Sequence, residues 1–194
     1  MTPRGRRGIG AGASARPPRA AARVRHPHAG PGSRAVRCAI LTVSDTRGRD
    51  DDSGGDLLQR RLEQGGHTVV WRRWSRDDAP AIRRAVRSAL ARPEVDAVLV
   101  TGGTGIAPRD VTPEAVAPLV ERWLPGFGEA LRGLSWGSVG SAAWLSRAAA
   151  GVARGRLLVI LPGSPDAVRL AADRLLVPEL AHAARLLGRF GRGG

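Results

Sequence analysis

Read from its residues alone, the chain should fold as an α/β sandwich with a mostly parallel sheet. From Val36 onward, apolar runs of strand length alternate with segments of helical period. The most hydrophobic run, VDAVLV at Val95 to Val100, has the near-continuous apolar character of a strand covered on both faces. Four polar clusters fall at or just beyond the carboxyl ends of predicted strands, where open α/β sheets bind ligands.

The first strand is expected at Val36 to Val43, followed by a polar loop to Asp52. A helix opens at Ser53, which forms a capping-box variant with Asp56 three residues on. Leu57, Leu58 and Leu62 line its buried face, and Gly65-Gly66 ends it. A second strand runs from His67 to about Trp74. The next helix, Ala79 to Arg92, places Ile82, Val86 and Leu90 at i, i+4 and i+8 with its arginines toward water. The central strand Val95 to Val100 leads directly into TGGTG, Thr101 to Gly105. Thr112 as N-cap and Pro113 at N1 start a helix through Val120, with Val116, Leu119 and Val120 facing inward. Gly126 to about Leu134 reads as a short helix. Two strands, Ser146 to Val152 and Arg156 to Leu161, are joined by a tight turn at Arg154-Gly155. Ser164 and Pro165 begin a last helix that reaches about Leu187.

A chain of 194 residues suits one domain of ordinary size plus an appendage. The appendage is residues 1–35 and the domain 36–190. Eight of the 31 basic residues and none of the 17 acidic ones lie in 1–35, so the tail carries +8 of the net charge of +14. Its Arg, Ala, Gly and Pro cannot bury enough apolar surface to offset ordering entropy, so disorder is expected there. A basic arm could bind nucleic acid with steeply salt-dependent affinity. Every basic residue is arginine, however, which points to coding bias rather than a recognition surface, so a nucleic-acid partner is not favoured. No apolar stretch approaches the roughly 20 residues needed to span a bilayer, and no export signal precedes the domain. A single cysteine, Cys38, rules out an internal disulfide and a Cys-based metal site. A cytoplasmic location follows as the default.

Five polar clusters could carry chemistry: Ser44-Asp45, Asp77-Asp78, Thr101 to Gly105, Asp110, and Pro162 to Ser164. Three glycines among five residues let backbone N–H groups approach an anion closely, which makes Thr101 to Gly105 a phosphate cradle or, equally, a tight turn after a buried strand. The Walker A loop is excluded because the chain has no lysine, and a third glycine of the dinucleotide fingerprint is missing. Asp77, Asp110 and Asp45 are candidate hard-oxygen ligands for Mg²⁺ beside such a loop, or else turn and cap residues. Arg109 either contacts a phosphate or is solvated. A hydrolase elbow is absent, Cys38 reads as core, and no histidine has an evident catalytic role.

The strings ILTVSD (Ile40 to Asp45), DDSG (Asp51 to Gly54), TGGTGIAPRDVTPEA (Thr101 to Ala115), PGFGE (Pro125 to Glu129), LSRAAAGV (Leu145 to Val152) and LPGSP (Leu161 to Pro165) resemble, in order and spacing, the MoaB/MogA family of molybdenum cofactor biosynthesis proteins. The resemblance covers about Val36 to Leu187. It implies a three-layer α/β/α molybdopterin-binding domain that forms homo-trimers or homo-hexamers. It also implies Mg²⁺- and ATP-dependent adenylylation of molybdopterin, ahead of a downstream molybdate-insertion protein. Carried over by motif, Asp110 and Asp77 match the acids needed for adenylylation, as catalytic and metal-binding residues. Gly102, Gly103, Thr104 and Gly105, with Thr101 before them, match the nucleotide-phosphate loop. Ser146, Gly163 and Ser164, with Ser44, Asp45, Ser53 and Gly54, match positions of the nucleotide and pterin cleft. The alternative of another class is a non-catalytic molybdopterin-binding or assembly protein of the MoaB type.

Overall fold

The computed structural model describes residues 34–45 and 51–190. The predicted tail therefore lies outside the described residues except for Arg34 and Ala35. In chain order the elements are β1 (Arg37–Val43), α1 (Ser53–Gln64), β2 (Thr68–Ser75), α2 (Ala79–Leu90), β3 (Ala97–Thr101), α3 (Thr112–Val116), β4 (Arg122–Trp123), α4 (Pro125–Val139), β5 (Ala149–Ala153), β6 (Arg156–Leu161), α5 (Pro165–Ala171) and α6 (Val177–Leu186). Short 3-10 turns follow α3 (Ala117–Leu119) and α4 (Gly140–Leu145), and a π-helical turn (Ala172–Leu176) joins α5 to α6.

The strands form one sheet in the order β2-β1-β3-β6-β5-β4. The first four are parallel, while β5 runs against both of its neighbours. Alternate residues of β1, β3 and β6 feed two cores. Cys38, Ile40, Leu99, Val159 and Leu161 pack with Leu58, Leu62, Leu131, Val168 and Leu180 of α1, α4, α5 and α6. Ala39, Leu41, Val98, Val100, Leu158 and Ile160 pack with Ile82, Val86 and Val116 of α2 and α3. A sheet covered on both faces explains why the middle residues of its central strands are apolar on both sides. The three-layer sandwich is thus present, with a mixed sheet in which the parallel part dominates. Among the described residues no helix is long and apolar enough to cross a membrane.

Several local expectations need correction. Asp52, not Ser53, caps α1: its Oδ1 accepts from the Gly55 N–H at 2.8 Å, and Ser53 is the exposed first helical residue. Val111 occupies the cap position of α3, and Thr112 follows it as the first helical residue. The helix stops at Val116 rather than Val120, since Pro118 has no N–H to continue the ladder. The short helix at Gly126 to Leu134 is in fact the 15-residue α4, and β4 was not anticipated. Strand β5 begins at Ala149, which leaves Ser146 in the approach to it. The last helix is interrupted by the π-helical turn. The turn between β5 and β6 is as expected, with positive φ at both Arg154 (50°) and Gly155 (65°), the pairing of a type I′ hairpin.

Candidate functional site

Strand order reverses between β1 and β3, because the chain leaves β1 toward β2 and returns to place β3 on β1's other side. A crevice opens at such a switch point, beyond the carboxyl strand ends. Here it is a cleft of about 600 Å³. Its floor is the end of β1 (Thr42, Val43) with Ser44 and Asp45, and the end of β3 with the glycine loop, Thr101 to Gly105. Asp77 enters from the end of β2, Pro162, Gly163 and Ser164 from the end of β6, and Asp52 and Gly54 from the start of α1. Arg109, Asp110, Leu145 and Ser146 complete it. Ser146 reaches this edge because β5 is reversed: the residues that enter β5, rather than those that leave it, stand beside the parallel carboxyl ends. Every site residue carried over from the family resemblance lines the cleft except Ser53, at the exposed start of α1. Of the Asp77-Asp78 cluster only Asp77 does, since Asp78 caps α2 by accepting from the Ala81 N–H at 2.8 Å.

The glycine loop is held by the main chain around it. The Gly102 N–H donates to Leu161 O at 3.0 Å, and the Thr101 hydroxyl donates to Pro162 O at 2.9 Å. Thr112, fully buried, donates its hydroxyl to Gly102 O at 2.9 Å and its N–H to Gly103 O at 3.1 Å. Gly102 has φ +103°, and a Cβ there would lie 2.1 Å from Val43 O. Only glycine can occupy that position without moving β1.

The two acids stand against the same loop. A Cβ on Gly103 would lie 2.6 Å from Asp77 Oδ1, and one on Gly105 would lie 2.7 Å from Asp110 Oδ2. Asp110 Oδ2 accepts from the Ala107 N–H at 3.0 Å. Asp45 accepts from the Asp77 N–H at 3.1 Å and pairs with the Arg109 guanidinium. Asp77 Oδ1 is buried and has no hydrogen-bond partner. Burial, and then the like charges of Asp45 and Asp110, push the Asp77 carboxyl above the usual aspartate range. An unpartnered carboxylate oxygen amid other carboxylates suits a divalent cation. Among the described residues no group of three or more His, Cys, Asp and Glu could hold a metal alone. Mg²⁺ habitually takes one or two carboxylates and completes its shell with water and substrate phosphates, so Asp77 and Asp110 fit it in the company of a nucleotide.

Asp52 was missed as a cleft residue. It is buried, and its Oδ2 accepts from the Thr42 hydroxyl at 2.7 Å and from Arg72 Nη2 at 2.8 Å. Burial alone pushes its pKa up, but these donors outweigh that and hold it below the ordinary range. Arg147 was missed as well. It lies behind the glycine loop and bonds to Gly105 O at 2.8 Å. Among the described residues no histidine or cysteine lines the cleft. Cys38 is buried in β1, its thiol pushed up to about 12 by burial, and is core.

Residues 39–182 match the family described as "Probable molybdopterin binding domain". Molybdenum cofactor biosynthesis protein B of Bacillus subtilis is 47% identical over 151 residues, which cover 77% of this chain and 89% of that protein. The protein of the same name from Escherichia coli K12 is 42% identical over 150 residues, covering 77% and 88%. A crystal structure of a Molybdenum cofactor biosynthesis protein B superposes with TM-score 0.79 at 42% identity, over 82% of this chain and 99% of that one. The tungsten cofactor synthesizing protein MoaB from Pyrococcus furiosus superposes with TM-score 0.69 at 32% identity, over 81% and 99%. The chain belongs to the MoaB/MogA family of molybdenum cofactor biosynthesis proteins.

Proposed function

We propose that, within molybdenum cofactor biosynthesis, this protein transfers the adenylyl group of ATP to molybdopterin, with Mg²⁺, before molybdate is inserted by a downstream protein. The observation that carries the reading is the pairing of each acid with a loop glycine: Asp77, with its unpartnered oxygen, against Gly103, and Asp110 against Gly105. Acids placed so can hold a cation on the phosphates that the loop receives.

A terminal phosphate oxygen of molybdopterin attacks the α-phosphorus of ATP. The bond to the bridging oxygen breaks, and pyrophosphate leaves. That phosphate is already ionised at neutral pH, so the reaction needs charge neutralisation and in-line positioning more than a general base. A cleft whose described lining includes no histidine suits this. Mg²⁺, bound with the nucleotide, would supply positive charge for the phosphate oxygens, and Asp77 and Asp110 are the residues to hold it. Gly102, Gly103, Thr104 and Gly105 receive the phosphates. Ser44, Gly54, Ser146, Gly163 and Ser164 offer hydroxyls and main chain to the polar ends of the two substrates. The reading includes assembly as a homo-trimer or homo-hexamer. Three large apolar side chains on α4 and the turn after it, Trp136, Val139 and Trp144, are 55%, 55% and 69% exposed, as a subunit contact would require.

The test is AMP transfer: protein, molybdopterin, Mg²⁺ and radiolabelled ATP, with pyrophosphate and adenylylated pterin followed together. Coupled formation of both, abolished in Asp110→Asn with pterin binding retained, is expected. Pterin binding without pyrophosphate release would instead assign the chain to a binding or assembly role.

A further inference from the structure

We propose that Arg147 is a positioning residue for the phosphate edge of the cleft, acting through the glycine loop and Asp110 without touching the substrate. The inference rests on the nucleotide-binding reading above. Arg147 does not line the cleft. Its side chain instead joins three separate segments from behind. Nε donates to Gly105 O at 2.8 Å, Nη2 donates to Asp110 O, and Nη1 pairs with the Glu114 carboxylate on α3. Its own N–H donates to Thr104 O at 3.0 Å.

Gly105 and Asp110 are the two ends of the turn that carries the acid. Between them, Ile106, Ala107, Pro108 and Arg109 are all exposed and bury nothing that could fix the turn. Within the turn, Asp110 accepts from the Ala107 N–H at 3.0 Å and donates its own N–H to Ala107 O at 2.9 Å. These bonds shape the turn but do not attach it to the sheet. Attachment falls to the Arg109–Asp45 pair at the rim and to Arg147 beneath. A planar guanidinium with five donors can bind two carbonyls and a carboxylate at once, whereas a lysine ammonium is a point charge on a flexible stem. The anchor is itself fixed, because Arg147 enters β5, whose ladder to β6 begins at the pair Ala149 and Ile160. Alongside the rim pair and the Thr112 bonds to Gly102 and Gly103 that follow the turn, Arg147 is the side chain that ties the Asp110 main chain itself to the sheet.

The experiment uses the full chain with Arg147→Lys and Arg147→Ala, and Glu114→Gln as a comparison. Amide hydrogen exchange of residues 105–111 is expected to quicken at least about ten-fold in Arg147→Lys, with β1, β3 and β6 unchanged. ATP binding in Mg²⁺, by calorimetry, should weaken about ten-fold, the equivalent of about 1.4 kcal/mol. In turnover, kcat should fall while the KM for molybdopterin holds. Glu114→Gln keeps both carbonyl bonds and should stay within about two-fold of wild type in both measurements. If Arg147→Ala does not fold, Arg147→Lys decides. Exchange at the wild-type rate in Arg147→Lys overturns the role, as does faster exchange with unchanged ATP affinity, or a Glu114→Gln effect as large as that of Arg147→Lys. Wild-type protein that binds no ATP overturns the nucleotide reading, and the role with it, a pattern distinct from wild-type binding that Arg147→Lys leaves intact.

Discussion

Replacing Asp77 by asparagine should make the folded protein more stable while removing its response to Mg²⁺ and ATP. The wild-type carboxylate is buried, leaves Oδ1 without a hydrogen-bond partner, and lies near the charges of Asp45 and Asp110. An orphaned buried acceptor costs about 1–3 kcal/mol, and an amide removes the charge and supplies a donor that neighbouring carboxylates can accept from. At the lower end of that range the gain is about 1 kcal/mol near neutral pH, or about 2–4 °C in Tm for a chain of this size. The pH dependence has a definite sign. Asp77's carboxyl titrates above its unfolded value of 3.8, so the folded state holds the extra proton between the two values. The destabilisation by its charge is present above the folded pKa and vanishes as pH falls to the unfolded value. The advantage of Asp77→Asn should accordingly be full at pH 7 and shrink toward pH 4. Thermal melts of both proteins across that range, with and without Mg²⁺ and ATP, measure it. A variant no more stable than wild type at pH 7, or a gain that does not change with pH, would refute the account of Asp77 as an uncompensated charge.

Two further outcomes follow from other contacts. Gly103→Ala puts a side chain at φ +63°, with Cβ 2.4 Å from the Thr112 hydroxyl and 2.6 Å from Asp77 Oδ1. Strain of about 1–2 kcal/mol for the left-handed backbone, plus disturbance of a buried hydrogen bond worth about 1 kcal/mol, predicts a loss of about 2–3 kcal/mol in urea denaturation. A loss below about 1 kcal/mol would mean that the loop yields easily. His67 is buried, accepts from the Val36 N–H through Nδ1 at 3.3 Å, and has its pKa lowered by burial. The unfolded state therefore gains its proton first, and stability should fall as pH drops below about 6.5, an acid limb that His67→Gln should flatten.

The parts of the fold that repeat a pattern were legible in the chain. Strands buried on both faces announce themselves as apolar runs, and Ile82, Val86 and Leu90 mark the inward stripe of α2. The candidate site was legible in two ways. Strand-end position follows from topology and marked Ser44, Asp45, Asp77, Thr101 to Gly105, Gly163 and Ser164, while Gly54 and Ser146 were marked by the family resemblance. Thirteen of the fourteen positions so carried over line one cleft. What escaped depends on distant partners. Ser53 and Asp52 are adjacent and both suit a cap, and the choice falls to Asp52 because Thr42 and Arg72 stand opposite it. Arg147 is one of 31 arginines, and nothing local marks the one whose guanidinium meets Gly105 and Asp110. Helix α4 continues through Gly133 and Gly137, poor helix formers, so local propensity alone ends it too early.

The order of the strands also bears on synthesis of the chain. β3 pairs with β1 on one side and β6 on the other, and Ala97 stands opposite Leu157, some 60 residues later. At ribosomal rates of about 5–20 residues per second, that is about 3–12 s during which β3 has no partner on its second edge. Ser146, Gly163 and Ser164 come from the same late stretch, so no ligand can be gripped by the growing chain until the sheet's centre closes. An open apolar edge is an aggregation hazard, and its exposure time here is set by translation speed between β3 and β6.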